Sequence, residues 1–272
     1  MANKENLEKK MDQAQEVVAE AFAKYPLEDL AIAWTGGKDS TLVLHIVYEV
    51  CQKKNLKVPK CFCIDEGDMF EEVKDFIEKT KKRYDVELDF VHNDDVSKAA
   101  KGELGAMVKV SDLSERNRRE IGRLGFEGEE FPYDPESFVG NHLMKTVPLN
   151  SYLEERGLEG FFEGIRWDEQ DARADETYFS PREASEYNPE HVRISPILHF
   201  LEEDVWKATF EYDIPYCSLY EEGYRSLGAK ETTGKADDVP AWEQDLEKTN
   251  ERGGRRQDKE KVMEKLRKLG YM

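Results

Sequence analysis

Residues 30–40 read Leu-Ala-Ile-Ala-Trp-Thr-Gly-Gly-Lys-Asp-Ser, and they constrain the fold more than any other stretch of the chain. An apolar run of strand length passes directly into a glycine pair and then into residues suited to open a helix. Gly36 and Gly37 lack Cβ atoms, so the backbone can turn sharply and present successive N–H groups to an anion. Asp39 and Ser40 suit the first helical positions, whose unpaired N–H groups and positive dipole end favour phosphate. Thr35 and Ser40 add hydroxyls and Lys38 a point charge, so residues 34–40, from Trp34 onward, are the candidate nucleotide-binding loop. The alternative is a plain glycine turn between a strand and a helix.

The rhythm on either side supports the first reading. Leu7, Met11, Ala14, Val18 and Phe22 recur at helical spacing through residues 4–24. A helix continues over residues 41–54, Cys61 to Ile64 is the next strand, Met69 to Tyr84 a helix, and Val86 to Val91 alternates apolar with polar residues. Alternating strands and helices predict an α/β fold, a Rossmann-like parallel sheet flanked by helices, with ligand at the carboxyl ends of the strands. Asp65 stands at such an end, as a ribose or metal contact or as a turn cap.

At 272 residues, one large α/β domain with an appendage is expected. The domain spans residues 1–215, and a C-terminal extension, 216–272, closes over the site. A net charge of −19 repels nucleic acid and anionic membrane at long range, so any anion site must be local and built from clustered arginines. Cys51, Cys61, Cys63 and Cys217 show no zinc spacing and read as reduced thiols. No transmembrane run or signal peptide is recognisable, and a cytoplasmic protein is expected. No metal ligand cluster is expected either.

Residues 93–139 break the rhythm: they are polar, with Arg116, Arg118, Arg119 and Arg123 close together, and read as a lid, a substrate loop or a solvated face. A helix resumes through Met144, Leu149 and Leu153, and the strand from Gly160 ends in Gly164-Ile165-Arg166-Trp167-Asp168-Glu169.

The loop resembles the pyrophosphate loop, Ser-Gly-Gly-x-Asp-Ser, of enzymes that cut ATP between its α- and β-phosphates, with Thr35 in first position. Gly164-x-Arg166-x-Asp168-Glu169, Arg173-Ala174 and Phe179-Ser180-Pro181-Arg182 are similar to the matching stretch of the small subunit of bacterial sulfate adenylyltransferase. So are Met144-Lys145-Thr146, Tyr224-Arg225-Ser226-Leu227-Gly228, Thr233-Gly234 and the closing segment from Glu251-Arg252 through Arg255 to Tyr271. The chain thus resembles the phosphoadenylylsulfate reductase superfamily, and within it the adenylyltransferase branch. It departs from the reductases in having no cysteine after Cys217, and from iron–sulfur members in having Gly140 and Asn141 where a cysteine pair stands.

The resemblance implies an ATP α-phosphate-cleaving adenylyltransferase that converts ATP and sulfate to adenylylsulfate and pyrophosphate, beside a GTPase large subunit. ATP would react as its Mg²⁺ complex. FMN adenylyltransferase resembles residues 196–206 and 215–220 and is the second reading, with Trp34, Trp167 and Tyr216 as candidates for a flavin slot; a non-enzymatic ATP-binding regulatory subunit is the third. Attack on the α-phosphate needs in-line placement and positive charge more than covalent help. Lys38 and Arg166 are therefore the candidate catalytic residues, with Asp65 and Gly164 beside the nucleotide. Arg173, Arg182, Arg225 and Arg255 are candidate outer partners of the oxyanion; for each of the first three taken alone a surface salt bridge with the abundant acids is the commoner role, and for Arg255 the alternative is a flexible hinge.

Overall fold

In chain order the elements are α1 (Ala2–Lys24), β1 (Leu30–Ala33), α2 (Lys38–Lys54), β2 (Lys60–Ile64), α3 (Glu71–Tyr84), β3 (Leu88–Val91), α4 (Asp94–Ala99), β4 (Met107–Lys109), α5 (Glu115–Arg123), β5 (Glu130–Pro132) and α6 (Phe138–Asn141). A π-helical stretch (His142–Thr146) joins α6 to α7 (Val147–Arg156), and β6 (Gly160–Phe162), β7 (Phe179–Arg182), β8 (His191–Ile194) and α8 (Glu202–Glu211) follow. The structure is a computed structural model describing residues 2–169, 173–185, 188–249 and 251.

The period of two along each strand decides which helices cover which face. Leu30 and Ile32 of β1, Phe162 of β6 and Val192 and Ile194 of β8 pack with α1, α2, α3 and α8 through Val18, Ile46, Ile77 and Val205. Ala31, Phe62 and Phe161 point the other way, onto Tyr152 and Leu153 of α7. A sheet buried on both faces calls for near-continuous apolar strands, and β1, β2 and β6 are of that kind.

The main sheet runs in the order β3-β2-β1-β6-β8-β7, parallel throughout except for β7 against β8. Strand order reverses at β1, which has β2 on one side and β6 on the other, so the crevice at the carboxyl ends of β1 and β6 is the topological switch point.

Two regions differ from the sequence reading. The hairpin β7–β8 carries no strand signal on its β7 side because Pro181 lies within it; as β7 forms the sheet edge, the missing N–H costs no ladder bond to a further strand. Residues 93–139, read as a polar break, fold as α4, β4, α5, β5 and the start of α6 around their own core of Val96, Val108, Ile121 and Phe131. Their polar residues are the outward faces of short elements. Residues 252–272, in which Val262, Met263, Leu266 and Leu269 recur at the spacing expected of a last helix, lie outside the described residues.

A candidate nucleotide loop and the cavity beside it

The loop between β1 and α2 is held from below. Gly36 has φ of +77°, and a Cβ there would stand 2.9 Å from Val73 Cγ1 of α3, so both backbone shape and space demand glycine. Ser40 Oγ lies 3.3 Å from both the Thr35 N–H and the Thr35 hydroxyl, and donates to the Gly37 carbonyl at 3.1 Å. The Lys38 N–H, first in α2, donates to the Tyr220 hydroxyl at 2.9 Å. Gly164, at the end of β6, meets this helix start directly: a Cβ there would lie 2.7 Å from Asp39 C and Ser40 N.

Trp34 does not face the site. Its indole is fully buried in the main core and donates to Thr41 Oγ1 at 3.1 Å, which gives its N–H the partner burial requires. The Asp65 carboxylate accepts the Gly67 N–H at 2.8 Å, the turn-capping arrangement.

Lys38 and Arg166 come together, but not toward open space. The Arg166 guanidinium is fully buried and binds Asp39, Asp168 at 2.8 Å and Glu251 at 2.5 Å. Lys38 Nζ, equally buried, lies 2.5 Å from the other Glu251 oxygen, 3.2 Å from Asp39 and 3.7 Å from Glu202. Arg225 closes the cluster with a 2.7 Å bond to Glu202. Burial works against the Lys38 charge, yet Asp39, Glu251, Tyr220 and Glu202 outweigh it and raise the pKa. Glu251 is held well below the usual carboxylate range by Lys38 and Arg166 in spite of its own burial. The three cations Lys38, Arg166 and Arg225 thus face Asp39, Asp168, Glu202 and Glu251. Sequence reasoning named the cations and Asp39 and gave Asp168 and Glu251 only as motif members; it missed Glu202 and the pairing of these carboxylates with the cations. Glu202 and Glu251 are far apart in sequence, and acidic residues are too common in this chain to single out.

Open space lies on the α7 side of the sheet. A cavity of about 290 Å³ is lined by Thr35, Ile64 and Glu66 at the strand ends, by Lys145 and Thr146 of the π-helical stretch and Leu149 and Asn150 of α7, and by Arg182, Asn188, His191 and Arg193 from the β7–β8 hairpin. Lys145 pairs with Glu66 at 2.8 Å and Arg182 with Glu176 at 2.9 Å. Arg193 projects on the α7 face, opposite to Val192 and Ile194, and stacks near the Phe161 ring. Of the expected outer arginines among the described residues, Arg182 alone lines this cavity. Arg173 pairs with Glu169, Arg225 is in the buried cluster, and Arg255 lies outside the described residues.

Of the aromatic residues read as a flavin slot, Tyr216 is taken up by Trp206 and Trp242, with ring centroids at 6.0 and 5.4 Å; Trp167 remains 39% exposed. All four cysteines are buried and free; burial pushes the Cys51 thiol up to about 11 and those of Cys61 and Cys63 to about 12, so these three make poor nucleophiles at neutral pH. Among the described residues no helix is long and apolar enough to cross a membrane, and no His, Cys, Asp and Glu side chains gather as a metal site.

Comparison with known proteins agrees with this fold. The chain is 27% identical to a probable FAD synthase of Caenorhabditis elegans over 83% of its own length and 34% of that protein, so it spans about a third of that relative. It is 29% identical to sulfate adenylyltransferase subunit 2 of Chelativorans sp. (strain BNC1), over 52% of this chain and 66% of that one. Among solved structures it resembles the Candida glabrata FMN adenylyltransferase in complex with ATP, with a TM-score of 0.57 at 20% identity, covering 84% of this chain and 63% of the other; that likeness shows the shared fold. Residues 29–235, well over half of the chain, match the phosphoadenosine phosphosulfate reductase domain, and the chain belongs to that family.

Proposed function

We propose that the chain binds ATP across the ends of β1 and β6, with the β,γ-phosphates on residues 35–40, and transfers the adenylyl group to an anionic acceptor with release of pyrophosphate. The observation that carries this is the strand–loop–helix unit at the switch point. Gly36 in a left-handed conformation, the N-terminus of the 17-residue helix α2 and the Thr35 and Ser40 hydroxyls converge there on one place for a polyphosphate. Lys38 and Arg166 serve it from beneath. In their present pairing they fix Asp39 and the helix start, so their part is positioning and field rather than direct contact with the reacting phosphate. Mg²⁺ would arrive with ATP, held mainly by phosphate and water.

Sulfate is the first acceptor on the strength of the motifs around Arg166 and of the subunit 2 relative, whose name presupposes a companion chain; on that reading we propose a GTPase large subunit as partner. FMN is favoured by a different observation, the cavity beside the loop, which combines cations with the apolar walls Ile64 and Leu149. Pyrophosphate release from ATP, measured with sulfate, molybdate or FMN, tests the proposal. Release is expected with one acceptor class, reduced ten- to a hundredfold in a folded Ser40→Ala variant. ATP binding without release in any arm would instead identify a regulatory nucleotide-binding module.

A further inference from the structure

The end of the cavity formed by the β7–β8 hairpin has a chemistry of its own. Arg182 and His191 are cross-strand partners in the β7–β8 hairpin, and Arg193 follows two residues after His191, so the period of two puts His191 and Arg193 on the same face of β8. Arg182 is balanced by Glu176, whereas Arg193 has no carboxylate within ion-pair distance and no hydrogen bond among the described residues. An arginine partly buried against an aromatic ring in a chain of net charge −19 normally finds an acid. Glu176, which feels Arg193 at longer range, is hydrogen-bonded to Arg182 and Ser180, so the Arg193 guanidinium is left without a direct acceptor among the described residues.

His191 adds a more selective feature. Its Nδ1 lies 2.8 Å from the Pro189 carbonyl oxygen, which only accepts, so Nδ1 carries the hydrogen. Burial, followed by the neighbouring Arg193 and Arg182, lowers its pKa to about 4, and the ring is neutral at pH 7. Nε2 is therefore a bare acceptor, and it has no partner among the described residues; Arg182 Nε and Arg193 Nε are likewise buried without one. The wall thus presents two guanidiniums that need acceptors beside one imidazole nitrogen that needs a donor. Sulfate, molybdate and similar oxyanions carry no donor at neutral pH and satisfy only the first need.

We propose that this end of the cavity is a binding site for an organic phosphate ester that also bears a hydroxyl or N–H group, with Arg193 and Arg182 on the phosphate and His191 Nε2 accepting from the donor. In naming that ester as the acceptor the proposal rests on the adenylyl-transfer reading; as a binding site it does not. A cavity of about 290 Å³ is near the lower end of those that hold organic ligands and far larger than one tetrahedral ion needs.

Titration calorimetry of the full chain with FMN, ribose 5-phosphate, inorganic phosphate and sulfate tests it. At least one of the two esters should bind tenfold or more tightly than sulfate. Arg193→Gln should weaken that ester at least tenfold, as loss of a charged hydrogen-bond partner does, with Arg193→Lys recovering part of the loss. His191→Phe, which keeps the stacking on Phe161, should weaken the ester severalfold and leave the binding of sulfate, which has no donor to offer, unchanged. Sulfate binding as tightly as both esters would overturn the proposal. So would an Arg193→Gln variant that loses ATP affinity but keeps that of the ester, since the cavity would then be the nucleotide's own. Pyrophosphate release, assayed separately, separates the two readings: ester binding that depends on Arg193, without release, keeps this site and removes the adenylyl-transfer reading. Release driven by sulfate and indifferent to Arg193→Gln does the reverse.

Discussion

Glu251 is the residue on which the charge balance of the site turns. One carboxylate bridges Lys38 Nζ and the Arg166 guanidinium, both fully buried, with each cation at 2.5 Å. Breaking a buried ion pair by removing one partner leaves a charge without solvent or counter-charge and costs about 3–5 kcal/mol. Glu251→Gln should therefore destabilise the protein by an amount at the lower part of that range, since the amide oxygen still accepts from one cation. Urea unfolding at pH 7 measures it. The same variant should show a larger thermal stabilisation by inorganic pyrophosphate than the wild type, because Lys38 and Arg166 would then be short of an anion. An unchanged unfolding midpoint would mean that Glu251 is not buried between the two cations in solution.

At the level of elements, the loop is positioned by the approach of β6 to the start of α2. Gly164→Ala would place a methyl group 2.7 Å from the backbone of Asp39 and Ser40, and backbone cannot rotate away as a side chain can. The helix start must shift, at a cost of about 1–3 kcal/mol, and ATP affinity should fall more than tenfold while the rest of the sheet is retained. Gly122→Ala is the matching control: it sits within α5 with nothing inside 4 Å of the added methyl, and should be neutral or stabilise by up to about 1 kcal/mol. Calorimetric titration with ATP together with urea melts of both variants decides the matter. These elements also mark how far the sequence could be read. The strand–Gly-Gly–helix unit and the βαβ alternation were legible because their signals are local: period, glycine and turn chemistry within a dozen residues. Gly164 was legible as part of a motif, but its reason, a close backbone approach between segments more than a hundred residues apart, was not. The β7–β8 hairpin escaped because Pro181 contradicts a strand until one knows that it lies at the edge, and with it went Arg193 and His191. The burial of Arg166 was illegible for a third reason: charge reads as exposure until its partners are in place.

For the whole molecule, the pH dependence of stability should be set by buried histidines as much as by acids. Burial lowers the pKa of His45, His191 and His199, that of His191 to about 4. The unfolded chain then binds more protons than the folded one between about pH 4 and 6.5, so stability rises with pH across that window and levels off above it. Glu251, depressed below its unfolded value, acts in the same sense at lower pH: its contribution is present above about pH 4.5 and is lost on acidification. Glu202 and Glu169 are raised by burial and oppose this trend from about pH 4.5 upward. His191 alone contributes up to about 3 kcal/mol to the total rise across that window. Thermal melts from pH 4.5 to 7 should show a clear rise for the wild type and a smaller one for His191→Gln. A parallel pair of profiles would show that His191 is not buried neutral.

The bridge from Lys38 to Glu251 spans 213 positions of sequence, and that separation gives the site a history as well as a shape. The ribosome delivers the cations and most of the acids long before residue 251 emerges, so a nascent chain can form β1, α2 and β6 with Lys38 and Arg166 still missing the carboxylate that joins them. Assembly of the phosphate loop is thereby tied to the emergence of residue 251: a chain cut short before it has the walls of the site without their last electrostatic stitch.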